Sequence, residues 1–179
     1  MIWNAKNGTV LVGNTEMNYA AFGSGNKVLI LLPGLSDGLA TVKGKALLLA
    51  APYRLFFKDY TVFMFSRKNE LPDNYSIREM ADDQAEAMRR LGIRKAAVLG
   101  VSEGGMIAQY LAIDHAELVE KLVIAVSSPN ANEIVRSAVS SGIRCTALHC
   151  FCFYQCLSYW AQYMHLLFSV HIRLLLPNE

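Results

Sequence analysis

Short apolar runs recur along this chain with room for one helix between them, and that rhythm restricts its fold more than any other feature. Lys27-Val28-Leu29-Ile30-Leu31-Leu32 ends at Pro33-Gly34, and Tyr60-Thr61-Val62-Phe63-Met64-Phe65 is rich in β-branched and aromatic residues. Residues 95–101 and 122–126 are two further runs. Runs of this length without polar alternation suit strands covered on both faces, and parallel strands need crossover segments between them. Residues 43–51 offer a short helix that Pro52 is expected to stop. Ser76-Ile77-Arg78-Glu79 has the form of a capping box, and Ile77, Met80, Gln84, Met88 and Leu91 follow at near-helical spacing, with Gly92 as the stop. Residues 104–113 supply a third helix. Upstream, residues 9–12 and 16–22 flank Gly13-Asn14, a hairpin signal, so the sheet is expected to begin antiparallel. The fold class is therefore α/β, a mostly parallel sheet of six strands with flanking helices. Gly23-Ser24-Gly25-Asn26 precedes a strand instead of following one, so it reads as a turn and not as a phosphate-cradling loop.

This rhythm stops near residue 136, dividing 179 residues into an α/β segment, 1–136, and a tail, 137–179. The tail clusters Cys, Phe, Tyr, Leu and His with neither a strand nor a helix period. All four cysteines, Cys145, Cys150, Cys152 and Cys156, fall inside it, which excludes a disulfide framework for the first segment. A net charge of +2 with both signs scattered provides no basic stripe for nucleic acid, so none is expected as a partner. The first residues lack the features of a secretory leader, and a cytoplasmic location is the expectation.

The chemistry concentrates at Gly100-Val101-Ser102-Glu103-Gly104-Gly105, a G-x-S-x-G string between a strand and a helix. A turn of this kind forces the serine into a strained backbone and presents its hydroxyl, while Gly100, Gly104 and Gly105 keep other atoms clear. The amides at the start of the next helix favour negative charge, which makes the Glu103 amide one expected oxyanion donor. A second donor, the Leu35 amide, is expected from the loop Leu32-Pro33-Gly34-Leu35-Ser36-Asp37-Gly38, with Asp37 fixing that loop. Ser66-Arg67 is expected after its strand, bracing loops around the site, with Arg67 in a structural ion pair.

With these motifs in place, residues from about 9 to 129 resemble the N-terminal two thirds of an α/β-hydrolase fold domain. The resemblance implies hydrolysis of an ester, thioester, amide or related acyl bond of a small molecule through an acyl-serine at Ser102, without metal or organic cofactor, and a carboxylic ester-like bond is the leading expectation. Lineages with an aspartate nucleophile, such as haloalkane dehalogenases and epoxide hydrolases, resemble the chain less, because position 102 is Ser. Pro33-Gly34 stands where the family often has His-Gly, which keeps the backbone donor but alters substrate contacts.

The same resemblance implies an acid and then a histidine after Ser102, following a seventh and an eighth strand, and neither strand is evident. Of the later acids, Glu103, Asp114, Glu117 and Glu120 are expected to point away from the site, and Glu179 follows every histidine. Glu133 is the remaining candidate acid. His149, His165 and His171 lie in the tail without a Gly-His context, and His115 is expected on the surface at the end of the elbow helix.

Three readings of the tail stay open. Residues from 137 onward are foreign to the fold, as after a shifted reading frame; or 145–172, which carries no Asp, Glu, Lys or Arg, associates with a membrane; or Cys145, His149, Cys150, Cys152 and Cys156 hold a metal. The functional reading is a serine hydrolase. Its rival is a catalytically inactive α/β-hydrolase fragment that acts by binding or at a membrane.

Overall fold

Residues 2–34, 42–125 and 127 are described by the computed structural model of the chain. The Gly13-Asn14 turn joins β1 (Lys6–Val12) to β2 (Thr15–Gly23), with Val12 opposite Thr15 and Gly13 at φ 60°. That left-handed conformation is one a glycine adopts without Cβ strain. There follow β3 (Lys27–Leu32), a short α1 (Ala46–Ala50), β4 (Tyr60–Lys68), α2 (Ile77–Arg90), β5 (Ala96–Val101), α3 (Glu103–Asp114) and β6 (Val119–Ala125).

The six strands form one sheet in the order β1-β2-β4-β3-β5-β6. β1, β2 and β4 pair antiparallel, whereas β4, β3, β5 and β6 run parallel, as the hairpin and the apolar runs respectively predicted. Parallel pairing places the ends of β3, β4 and β5 along one edge, where the chain turns into loops or a helix.

Alternation along the buried strands divides the core into two layers. Ile30, Leu32, Phe65 and Val98 face Ala81, Ala85 and Met88 of α2 and Ile107 and Leu111 of α3. Leu29, Leu31, Val62, Met64, Ala97 and Leu99 face the other way, onto Leu49, Tyr53 and Phe56. Each large apolar side chain removed from water contributes about 1.5–3 kcal/mol, so covering both faces anchors the central strands firmly.

The capping box forms as read: Glu79 N donates to Ser76 Oγ at 3.2 Å and Ser76 N donates to Glu79 Oε2 at 2.8 Å. The short α-helix ends at Ala50, just before Pro52, as expected. Beyond it the chain tightens into a 3-10 helix, Ala51–Phe56, with Pro52 in its first positions, where no amide donor is required. β4 is longer than the pattern indicated, so Ser66 and Arg67 lie within it and not after it. The tail, together with the expected absence of later strands, falls outside the described residues.

Candidate active site

Ser102 sits between β5 and α3 with φ 53° and ψ −121°, a conformation that L-residues rarely adopt. Three constraints hold it there. Its amide donates to the Ala125 carbonyl of β6 at 3.0 Å, and its carbonyl accepts from Gly105 N at 2.9 Å and from Ser127 Oγ at 2.6 Å. Although Ser102 occupies the N-cap of α3, its hydroxyl makes no capping bond, and the residue is exposed. The hydroxyl is thus presented outward and not consumed by the helix.

Each glycine of the motif has a steric reason. A side-chain carbon on Gly104 would run into the Leu32 carbonyl at the end of β3, and one on Gly100 would lie 2.7 Å from Gly105 Cα and 2.8 Å from Ala108 Cβ. One on Gly105 would strike Ser127. The start of α3 therefore packs directly on the ends of β3 and β6, which brings its first turn beneath Ser102.

The loop after β3 reaches the same place. A side-chain carbon on Gly34 would lie 3.3 Å from Ser102 Cβ and 3.8 Å from its Oγ, so the Pro33-Gly34 turn closes over one side of the serine. Leu35 and Asp37, which continue that loop, are outside the described residues, as is Glu133. The Glu103 backbone opens α3 directly after Ser102.

The Glu103 side chain departs from the expectation that it points away. It remains at the strand ends, where Arg67 Nη2 donates to its Oε2 at 2.7 Å. The same nitrogen approaches the Pro33 carbonyl at 3.5 Å. Arg67 is buried, and its Nε and Nη1 have no partner among the described residues. The ion pair expected of Arg67 is therefore present, spanning the elbow and the loop after β3.

The remaining described acids lie elsewhere. Asp114 is bound by Arg78 and Glu117 by Arg89, both near the C-terminal end of α3, while Glu120 is exposed on β6. His115, the one histidine among the described residues, has Nε2 2.7 Å from Asp82 and Nδ1 3.2 Å from Arg89. Twelve helical residues separate His115 from Ser102, about 18 Å at 1.5 Å per residue, which leaves it no part in activating the serine. His149, His165 and His171 lie outside the described residues, as do the cysteines of the suggested metal site and the 145–172 stretch.

Neither Ser127 nor the contact of Gly34 with Ser102 was foreseen. A small residue just past the sixth strand and a glycine after the third were visible signals, but only their approach in space gives them meaning. Among the described residues, no helix is long and apolar enough to cross a membrane.

A mostly parallel sheet with a strained serine at a strand-to-helix turn defines a hydrolase-type α/β architecture. The chain belongs to the α/β-hydrolase fold family, whose model matches residues 27–169. It is 36% identical over 116 residues to a fluoroacetate dehalogenase from Burkholderia sp., a match covering 63% of this chain and 38% of that protein. It is also 39% identical over 69 residues to RutD of Serratia proteamaculans (strain 568), provisionally named a carbamate hydrolase, across 38% of this chain and 26% of that protein. Among solved structures, a hydrolase from Pseudomonas aeruginosa PA01 superposes with a TM-score of 0.63 at 21% identity, covering 77% of this chain and 54% of that one. The chain thus spans well under half the length of these two curated relatives.

Proposed function

We propose that this chain carries the nucleophile, Ser102, and both oxyanion donors, the Glu103 and Leu35 amides, of a serine hydrolase acting on carboxylic ester-like bonds of small molecules. The observation that carries this reading is Ser102 itself: exposed, held at φ 53°, and with a hydroxyl excluded from the helix cap. Strain of this kind costs about 1–3 kcal/mol and persists only where the surroundings enforce it.

In the proposed reaction Ser102 Oγ bonds to the acyl carbon, and its proton passes to a base outside the described residues. The carbonyl oxygen gains negative charge facing the Glu103 amide, with the Leu35 amide as the second donor. Collapse breaks the bond to the leaving group, which departs with a proton, and water then releases the acid from the acyl-serine.

Serine chemistry also separates this reading from what the name of the dehalogenase relative describes. Displacement of fluoride by a serine oxygen at a saturated carbon leaves an ether, which water does not readily cleave, so turnover would stop. Attack at a carbonyl gives an ester, and an ester turns over. The provisional carbamate hydrolase name of RutD concerns a carbonyl bond as well.

The experiment is incubation of the folded chain with a fluorophosphonate, followed by intact mass, beside Ser102→Ala. A single phosphonyl adduct that the alanine variant lacks is expected. A folded chain that stays unmodified overturns the reading in favour of an inactive relative that acts by binding.

A further inference from the structure

We infer that Arg67 is a positioning residue for the proposed acyl transfer, cancelling the Glu103 carboxylate beside the oxyanion site and tying the elbow to the loop after β3; this rests on the Ser102 reading. The geometry is specific. One nitrogen, Arg67 Nη2, lies 2.7 Å from Glu103 Oε2 and 3.5 Å from the Pro33 carbonyl. Glu103 directly follows Ser102, and Pro33 precedes the glycine that abuts Ser102. A single guanidinium therefore contacts the Glu103 side chain next to the serine and the Pro33 carbonyl before the glycine that abuts it.

Charge explains why the pair sits here. The first turn of α3 lowers the free energy of a nearby anion, and the proposed intermediate places an oxyanion there. A second anion in that field, the carboxylate of Glu103, opposes it, more strongly because its side chain is only 20% exposed. Arg67, with a side chain 7% exposed, removes that repulsion without presenting its own charge to solvent.

Stability alone does not account for this placement. A buried ion pair is often no better for folding than apolar side chains of similar volume. Arg67 also leaves Nε and Nη1 without partners among the described residues, a feature that weakens a purely structural pair. Its position at two site segments is what the pair supplies.

The test measures the rate constant for phosphonylation of Ser102 and, separately, reversible affinity for the probe, after circular dichroism shows each variant folded. In the measured step the Ser102 Oγ–P bond forms, the P–F bond breaks, fluoride leaves and the hydroxyl proton passes to the base. Arg67→Met is expected to slow the chemical step roughly 10- to 100-fold, with affinity little changed. Neutralising the stranded carboxylate in Arg67→Met/Glu103→Gln is expected to recover most of that loss. Where the methionine variant does not fold, Arg67→Gln keeps a donor for Glu103 without the charge, and the same slowing is expected.

A double variant as slow as the single one overturns the inference, because lost packing and not stranded charge would then set the rate. So does a charge-removed variant that reacts like the wild type while the wild type is labelled. An unlabelled wild type overturns the Ser102 reading first and this inference with it.

Discussion

The hydroxyl of Ser127 donates to the carbonyl of Ser102 at 2.6 Å, joining the segment after β6 to the elbow across 25 residues of sequence. That carbonyl also accepts from Gly105 N at 2.9 Å, while the longer α-helical bond from Met106 N is stretched to 3.4 Å. The first turn of α3 is thus tightened, and the side chain of Ser127 fills the remaining acceptor position.

Ser127→Ala should remove this bond without leaving a donor unpaired. The expected cost is about 0.5–1.5 kcal/mol, the ordinary net value of one hydrogen bond. Urea unfolding should show a lower midpoint with an unchanged slope, since the exposed surface of the unfolded chain stays the same. An unchanged midpoint would show that water serves the Ser102 carbonyl equally well.

Two glycines separate steric from conformational demand. Gly104 has an ordinary helical backbone but no room, because a methyl group there meets the carbonyl ends of Leu32 and Pro33. Gly92 has nothing within 4 Å but stands at φ 72°. Gly104→Ala should therefore cost more than 2 kcal/mol, about the upper range for overpacking, since backbone must move. Gly92→Ala should cost about 1–2 kcal/mol through left-handed strain alone. Thermal or urea midpoints of the two variants check the order, and equal losses would contradict it.

These cases mark what the sequence could disclose. The Gly13-Asn14 turn, the Ser76 capping box and the Gly100-to-Gly105 elbow were legible because each works through neighbours a few residues apart. The bond of Arg67 to Glu103 spans 36 residues, and that of Ser127 to Ser102 spans 25. No local pattern encodes either, since both arise from sheet order, which places β4 and β6 on opposite sides of the β3–β5 pair. The inward turn of Glu103 was missed for the same reason: helix periodicity gives its face, but only the buried Arg67 gives its partner. At Pro52 the local rule holds, since the α-helix ends at Ala50, and the same proline fits the first turn of the 3-10 helix that follows.

Acid should weaken the contact between α2 and α3. Arg78 Nε and Nη2 donate to Asp114 Oδ2 and Oδ1 at 2.8 and 2.6 Å, and hydrogen bonding to that guanidinium holds the Asp114 carboxyl below the usual aspartate range. Because the folded state holds this proton less tightly than the unfolded chain, the pair's contribution is complete above the usual aspartate pKa. It is lost as pH falls through the lowered value. Arg78→Met should thus have a lower urea midpoint than wild type at neutral pH, and the gap should close as pH falls through the lowered Asp114 value. A gap independent of pH would assign the effect to packing of the arginine stem.

Strain at Ser102 sets the last expectation. At φ 53° and ψ −121° a side chain costs about 1–3 kcal/mol, which glycine avoids. Glycine also enlarges the unfolded ensemble, at a cost of about 0.4–1 kcal/mol. The difference predicts that Ser102→Gly is more stable than Ser102→Ala by about 0.5–2 kcal/mol, since both lack the hydroxyl but only alanine retains the strain. Neither variant should accept a fluorophosphonate. A glycine variant no more stable than the alanine one would place the strain elsewhere, and a labelled one would move the nucleophile. With the expected result, the elbow holds Ser102 against its own backbone preference, a cost that serves presentation of the hydroxyl and not the stability of the fold.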